Sequence, residues 1–99
     1  MNVMAAPNRS VITARTELVE VVEGQPKWYL TVSVLEAEAV TGGLFVRAGD
    51  TARVFAVGSR PPIQDGDEFR AQVEYIGGPG GGELQLITLD EVWPGHHDS

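Results

Sequence analysis

Few side chains in this chain are equipped for chemistry. Carboxylates fall in close sets at Glu36/Glu38, Asp65/Asp67/Glu68 and Asp90/Glu91, and paired carboxylates can divide general acid and general base work between them. Each set also has a plain structural reading. Glu36 and Glu38 are two apart and share one face of a strand, while Asp65, Asp67 and Glu68 surround Gly66, where acids close turns. An oxygen-ligand calcium turn at Asp65-Gly66-Asp67-Glu68 lacks the EF-hand spacing. The imidazoles are His96 and His97, beside Asp98 in a polar carboxy-terminal stretch. A tail is a poor place for the base of a catalytic triad, and adjacent residues seldom converge on one metal without a scaffold. With no Cys in the chain, thiolate nucleophiles, disulfides and sulfur-ligated zinc or iron–sulfur centres are excluded. The expectation is a non-enzymatic protein with no cofactor and no metal site.

Two further constellations could bind rather than react. The run Gly77-Gly78-Pro79-Gly80-Gly81-Gly82 has the composition of a phosphate-cradling loop. However, no Lys-Ser or Lys-Thr follows it, Glu83 stands where a GxGxxG pattern begun at Gly78 needs its last glycine, and it leads into a strand. A flexible hairpin tip, able to close over a ligand, fits better, with Gly78, Gly80 and Gly81 as candidate contacts. The second constellation interleaves aromatic and basic residues: Lys27 and Tyr29 in one strand-like run, Arg53 and Phe55 in another, with Arg47, Arg60 and Arg70 nearby. Trp28, Phe45, Phe69 and Tyr75 are expected in the core. The need of a small barrel for large inward side chains favours the core for Phe55 too.

The elements that would position these residues are short and extended. The 99 residues carry 12 Gly and 6 Pro, are 42% hydrophobic, and hold 7 Lys and Arg against 14 Asp and Glu, a net charge of −7. That length buries one core, so a single domain over residues 11–93 is expected, with a flexible segment over 1–10 and a disordered tail over 94–99. No stretch of about 18 apolar residues occurs, which argues against a membrane span and for a cytoplasmic protein. Apolar residues alternate at period 2, clearest at Trp28, Leu30, Val32 and Val34. Ile12, Ala14, Thr16 and Leu18 share a face before the phase slips, which places a bulge near residues 18–20. Phe69, Ala71, Val73 and Tyr75 form another inward set, as do Leu84 and Leu86. Residues 35–46 read as a strand extension followed by a tight hairpin. Gly49-Asp50 and Gly66-Asp67 each precede a strand, a twice-used turn in which Gly supplies positive φ and Asp closes the turn.

The chain is therefore expected to be all-β, a small antiparallel barrel of five or six strands. With a long bent first strand (11–22), a second (27–35), a third (51–57), and a fourth and fifth joined by the glycine tip, it resembles the OB-fold, the oligonucleotide/oligosaccharide-binding barrel. The resemblance covers residues 11–89 and rests on strand count, spacing and turn placement. It departs from the family between strands three and four, where Ser59-Arg60-Pro61-Pro62 replaces the usual helix; an SH3-like barrel or a sandwich is the competing architecture. The resemblance implies a ligand surface on strands two and three, where Tyr29 and Phe55 would stack bases while Lys27 and Arg53 meet phosphates.

Charge bears on the partner. The net −7 disfavours sequence-independent nucleic-acid binding and favours a protein partner. All seven basic residues precede Gly77, so a local basic face is open to single-stranded nucleic acid. The expected function is thus a non-enzymatic OB-like binding module for a protein or a single strand. The alternative is an assembly protein whose exposed strand at residues 40–46 pairs with a second copy into a homodimer.

Overall fold

The computed structural model describes residues 7–78 and 81–95. Five strands, β1 (Arg9–Val21), β2 (Lys27–Thr41), β3 (Thr51–Val57), β4 (Glu68–Gly78) and β5 (Gly81–Trp93), make up the fold. They close into a barrel in the order β1-β2-β3-β5-β4, with β1 pairing β4. The barrel is mixed rather than wholly antiparallel: β3 and β5 run parallel through Val54↔Leu84 and Phe55↔Gln85. Geometry requires one such pair, because an odd number of strands in a ring cannot alternate direction throughout.

Period-2 alternation builds the core. Ile12, Ala14 and Thr16 of β1, Leu30, Val32 and Val34 of β2, Val54 and Ala56 of β3, Phe69, Ala71 and Val73 of β4, and Leu84 of β5 are all buried. Phe69, the largest fully buried side chain, sits opposite Ala14 in the ladder, a large residue facing a small one. No helix occurs among the described residues. Between β3 and β4 the loop instead sends Ile63, with no exposed surface, into the core cluster.

Register shifts bend the long strands. Glu17 is the extra residue of β1 between Thr16↔Val32 and Leu18↔Thr31, slightly ahead of the expected position. The consequence is that Leu18 turns outward, 43% exposed, while Val19 packs against the core. The slip lies where the β3–β4 loop is stitched on: Thr16 N–H donates to the Asp67 carbonyl (2.8 Å), Gly66 N–H to the Thr16 carbonyl (2.7 Å), and Val19 N–H to Asp65 Oδ1 (2.9 Å). β1 also starts ahead of the expected residue 11. Arg9 and Ser10 are in the ladder, and buried Asn8 prolongs it by clasping the Tyr75 backbone, Nδ2 to carbonyl (3.0 Å) and N–H to Oδ1 (2.7 Å).

The expected hairpin over residues 35–46 is half present. β2 runs on to Thr41, held by β1 against the helix propensity of Glu36-Ala37-Glu38-Ala39. Gly42, at φ 73°, then ends it, and residues 43–47 form no strand. The chain rejoins β2 only further along, at Val34, where Gly49 N–H donates to the Val34 carbonyl and Val34 N–H to the Asp50 carbonyl, both at 2.8 Å. The segment 40–46 is thus not one exposed strand: Val40 and Thr41 belong to β2, and Thr41 is paired with Arg9.

The two Gly-Asp turns have the same geometry. Asp50 Oδ2 accepts from Arg47 N–H and Asp67 Oδ2 from Gln64 N–H, each at 2.9 Å, and each Asp N–H returns to the same residue's carbonyl at 3.0 Å. Gly49 and Gly66 carry φ of 96° and 92°, the left-handed region that favours glycine. Asp67 does more than Asp50: its Oδ1 also accepts from Gly95 N–H at 2.9 Å, pinning the chain just beyond β5. No helix of the described residues is long and apolar enough to cross a membrane.

Candidate functional site

Since Leu30, Val32 and Val34 of β2 and Val54 and Ala56 of β3 point inward, the odd-numbered residues between Lys27 and Ser33 and along β3 form the outer face, and the register sets Tyr29 opposite Phe55 and Thr31 opposite Arg53. Phe55 therefore lies outside, half-buried, and not in the core as its size suggested. Leu30 pairs Val54 and Trp28 pairs Ala56, so the inward positions of β3 belong to the other parity. Of the remaining aromatics expected inside, Phe69 is buried, Trp28 and Tyr75 are half-buried, and Phe45 is 50% exposed.

Lys27, Tyr29, Arg53 and Phe55 are brought together as one cluster. The Lys27 ammonium lies 4.9 Å from the Tyr29 ring centre and 4.6 Å from that of Phe55, and the Arg53 guanidinium lies 3.9 Å above Tyr29. The two rings meet at 58° with centres 6.3 Å apart. Cation–π contact at such an exposed site contributes about 0.5–1 kcal/mol and keeps the cations close to the sheet. Neither cation has a carboxylate partner among the described residues, whose ion pairs are Arg9–Glu74 (3.4 Å) and Arg15–Glu68 (3.3 Å). Arg60 is placed apart from the cluster, 5.3 Å over the Trp28 ring.

Tyr29 also reaches β5, its Oη donating to Glu83 Oε1 at 3.2 Å. Beside this contact opens a cleft of about 380 Å³ between the β2–β3 loop and the β4–β5 hairpin, lined by Phe45, Arg53, Tyr75, Glu83 and Leu84 among others. Its aromatic wall is a parallel stack, Phe45 on Tyr75 with centres 4.4 Å apart and planes 9° apart. Sequence reasoning overlooked Glu83 and this wall. The only local hint is that Glu83 directly follows the glycine run.

The glycine tip is shorter than its composition implied. Gly77↔Gly82 and Gly78↔Gly81 are ladder pairs, so four of the six residues expected in the loop belong to the strands, and Pro79 and Gly80 lie outside the described residues. Gly81 has φ 123°. At Gly82 a Cβ would overlap the Tyr75 ring and the Ile76 carbonyl; the ring lies over bare backbone, which shields the glycine pair. Gly82→Ala is expected to lower stability by about 1–3 kcal/mol and to unseat Tyr75 from Phe45. Thermal unfolding with NMR ring shifts of Phe45 measures both, and an unshifted Phe45 would mean that the wall does not depend on the bare glycine.

The carboxylate sets resolve into separate roles. Asp65, Asp67 and Glu68 hold Val19, the turn with Gly95, and Arg15 respectively. Glu36 and Glu38 share the outer face of β2, beside Arg70 in a groove of about 420 Å³, and Asp90 and Glu91 are exposed on β5. No three His, Asp or Glu side chains gather as metal ligands among the described residues, and His96, His97 and Asp98 lie outside them. The chain matches no family model and no curated protein.

Proposed function

We propose that the protein is a non-enzymatic binding module, an OB-like barrel that takes single-stranded nucleic acid on the outer face of β2 and β3. The observation that carries this is the Lys27/Arg53 pair, two cations resting on two aromatic rings and forming no ion pair among the described residues. Ammonium and guanidinium groups so placed keep their N–H donors for phosphate, and the flat guanidinium offers a plane on which a base can stack. The strand order with its parallel β3–β5 contact supports the OB-like reading. In such barrels this face and its flanking loops are the usual ligand surface.

The test is an NMR amide-shift titration with mixed-sequence single-stranded DNA and RNA at low salt, repeated at higher salt. Shifts centred on Lys27, Tyr29, Arg53 and Phe55 that fade with salt are the expected outcome; their absence removes the face. Tyr29→Ala is expected to weaken binding about tenfold, on the scale of one lost stacking partner. Arg53→Ala is expected to weaken it and to reduce the salt slope by about one. Unchanged affinity in both variants would discard the assignment.

The surplus of acids, 14 against 7, favours a second reading, a protein partner with a basic surface. That partner would leave Lys27 and Arg53 unshifted and would perturb the exposed Asp90 and Glu91 of β5. A third role, assembly with a second copy, predicts a dimer in light scattering at high concentration.

A further inference from the structure

The cleft beside Arg53 combines features that suit a nucleobase more than a phosphate. Its wall is apolar and flat, with Phe45 half exposed over Tyr75. Its polar groups include Thr51 and Asp50, whose Oδ2 closes its own turn by accepting from Arg47 N–H, and, on adjoining strands, the Arg53 donor and the Glu83 acceptor. Glu83 is half-buried, and the hydroxyl of Tyr29 holds one of its oxygens. Its other oxygen takes no hydrogen bond among the described residues.

We propose that this cleft receives one base of the bound strand and selects guanine; the proposal rests on the nucleic-acid reading above. A carboxylate only accepts hydrogen bonds, so the base edge facing Glu83 must donate. Guanine presents two adjacent donors, N1–H and the 2-amino group, which meet the two oxygens of one carboxylate, and it leaves O6 as an acceptor for a guanidinium. Thymine and uracil place N3–H between two carbonyls, which a carboxylate repels. Cytosine and adenine offer one amino group beside a ring-nitrogen acceptor. Tyr29 orients the carboxylate before binding, and preorganised groups lose less freedom when the ligand arrives. The same tyrosine carries Arg53 on its ring, so backbone capture and base reading meet at one side chain.

The experiment is a set of fluorescence-anisotropy titrations with labelled short oligothymidine and with the same strand carrying one central guanine, inosine or cytosine. A good bidentate contact discriminates by about fivefold to a hundredfold, so the guanine strand is expected to bind about tenfold more tightly than oligothymidine. Inosine, which lacks the 2-amino group, is expected to lose most of that gain. Glu83→Gln, nearly isosteric, is expected to abolish the preference, so that the variant binds the guanine strand and oligothymidine equally. Equal binding of the guanine and thymidine strands, or of guanine and cytosine strands, overturns the proposal and leaves the nucleic-acid reading intact. Binding by none of the strands overturns that reading and the proposal together. A guanine preference that survives Glu83→Gln assigns the selectivity elsewhere and overturns the proposal as well.

Discussion

Ile63→Ala is expected to destabilise the barrel by about 3 kcal/mol, within the 2–5 kcal/mol typical of a buried Ile truncated to Ala. Ile63 belongs to a loop, directly after Pro61 and Pro62, yet none of its surface is exposed and it is part of the core cluster. A five-stranded barrel has an open end wherever the strands splay, and here β3 and β5 are held together by only two residue pairs. Ile63 supplies the apolar volume at the β3–β4 connection, and the Ile63 N–H bond to the Pro61 carbonyl (2.8 Å) keeps that connection tight. Truncation leaves a void that rigid strands cannot collapse to fill. Small domains hold only about 5–15 kcal/mol in total, so the urea midpoint should fall sharply. Val57→Ala, at a site 62% exposed, is the control and should change stability by less than about 0.5 kcal/mol. A loss below about 1 kcal/mol at Ile63 would mean that the loop lies on the barrel without filling it.

The second large effect is expected at Asp67, and the chain supplies its own comparison. Asp50 and Asp67 close the same turn, so Ala at either removes the same bond to the residue three earlier. Asp67 is 8% exposed and additionally holds Gly95 N–H, whereas Asp50 is exposed. Water can replace a lost acceptor at an exposed turn but not at a buried one. Asp67→Ala should therefore cost about 3 kcal/mol, from two hydrogen bonds to a charged acceptor, and Asp50→Ala less than about 1 kcal/mol. Urea unfolding of both variants decides it. Equal losses would show that burial and the Gly95 contact contribute nothing. Hydrogen exchange should also rise at Gly95 in the Asp67 variant alone.

Much of this architecture can be read locally, because one buried face imposes period 2 on a strand. Leu30, Val32 and Val34 declare their face without any knowledge of partners, and Phe69, Ala71 and Val73 do the same. The paired Gly-Asp turns are legible because positive φ and a carboxylate three residues from an amide are local requirements. Phe55 shows where local reading stops. In Arg53-Val54-Phe55-Ala56-Val57 both parities are apolar, so only the ladder with β2 chooses between them. Leu18 fails for a related reason: the slip at Glu17 depends on bonds to Asp65, Gly66 and Asp67, far along the chain.

The candidate site divides along the same line. Lys27, Tyr29, Arg53 and Phe55 could be named from residue type and alternation, since the outward parity of two neighbouring strands gathers them if those strands pair. Glu83 could not, because its contact with Tyr29 spans 54 positions and exists only once β5 lies against β3. The cleft likewise arises where the β2–β3 loop meets the β4–β5 hairpin, with Phe45 laid on Tyr75. Fold class, strand count, inward faces and turn chemistry thus follow from short-range pattern, which steric and burial rules translate residue by residue. Closure, the parallel pair, the position of the bulges and the cleft follow from which distant backbones share hydrogen bonds. That pairing is a global minimum over the whole ring of strands, and no single segment encodes it.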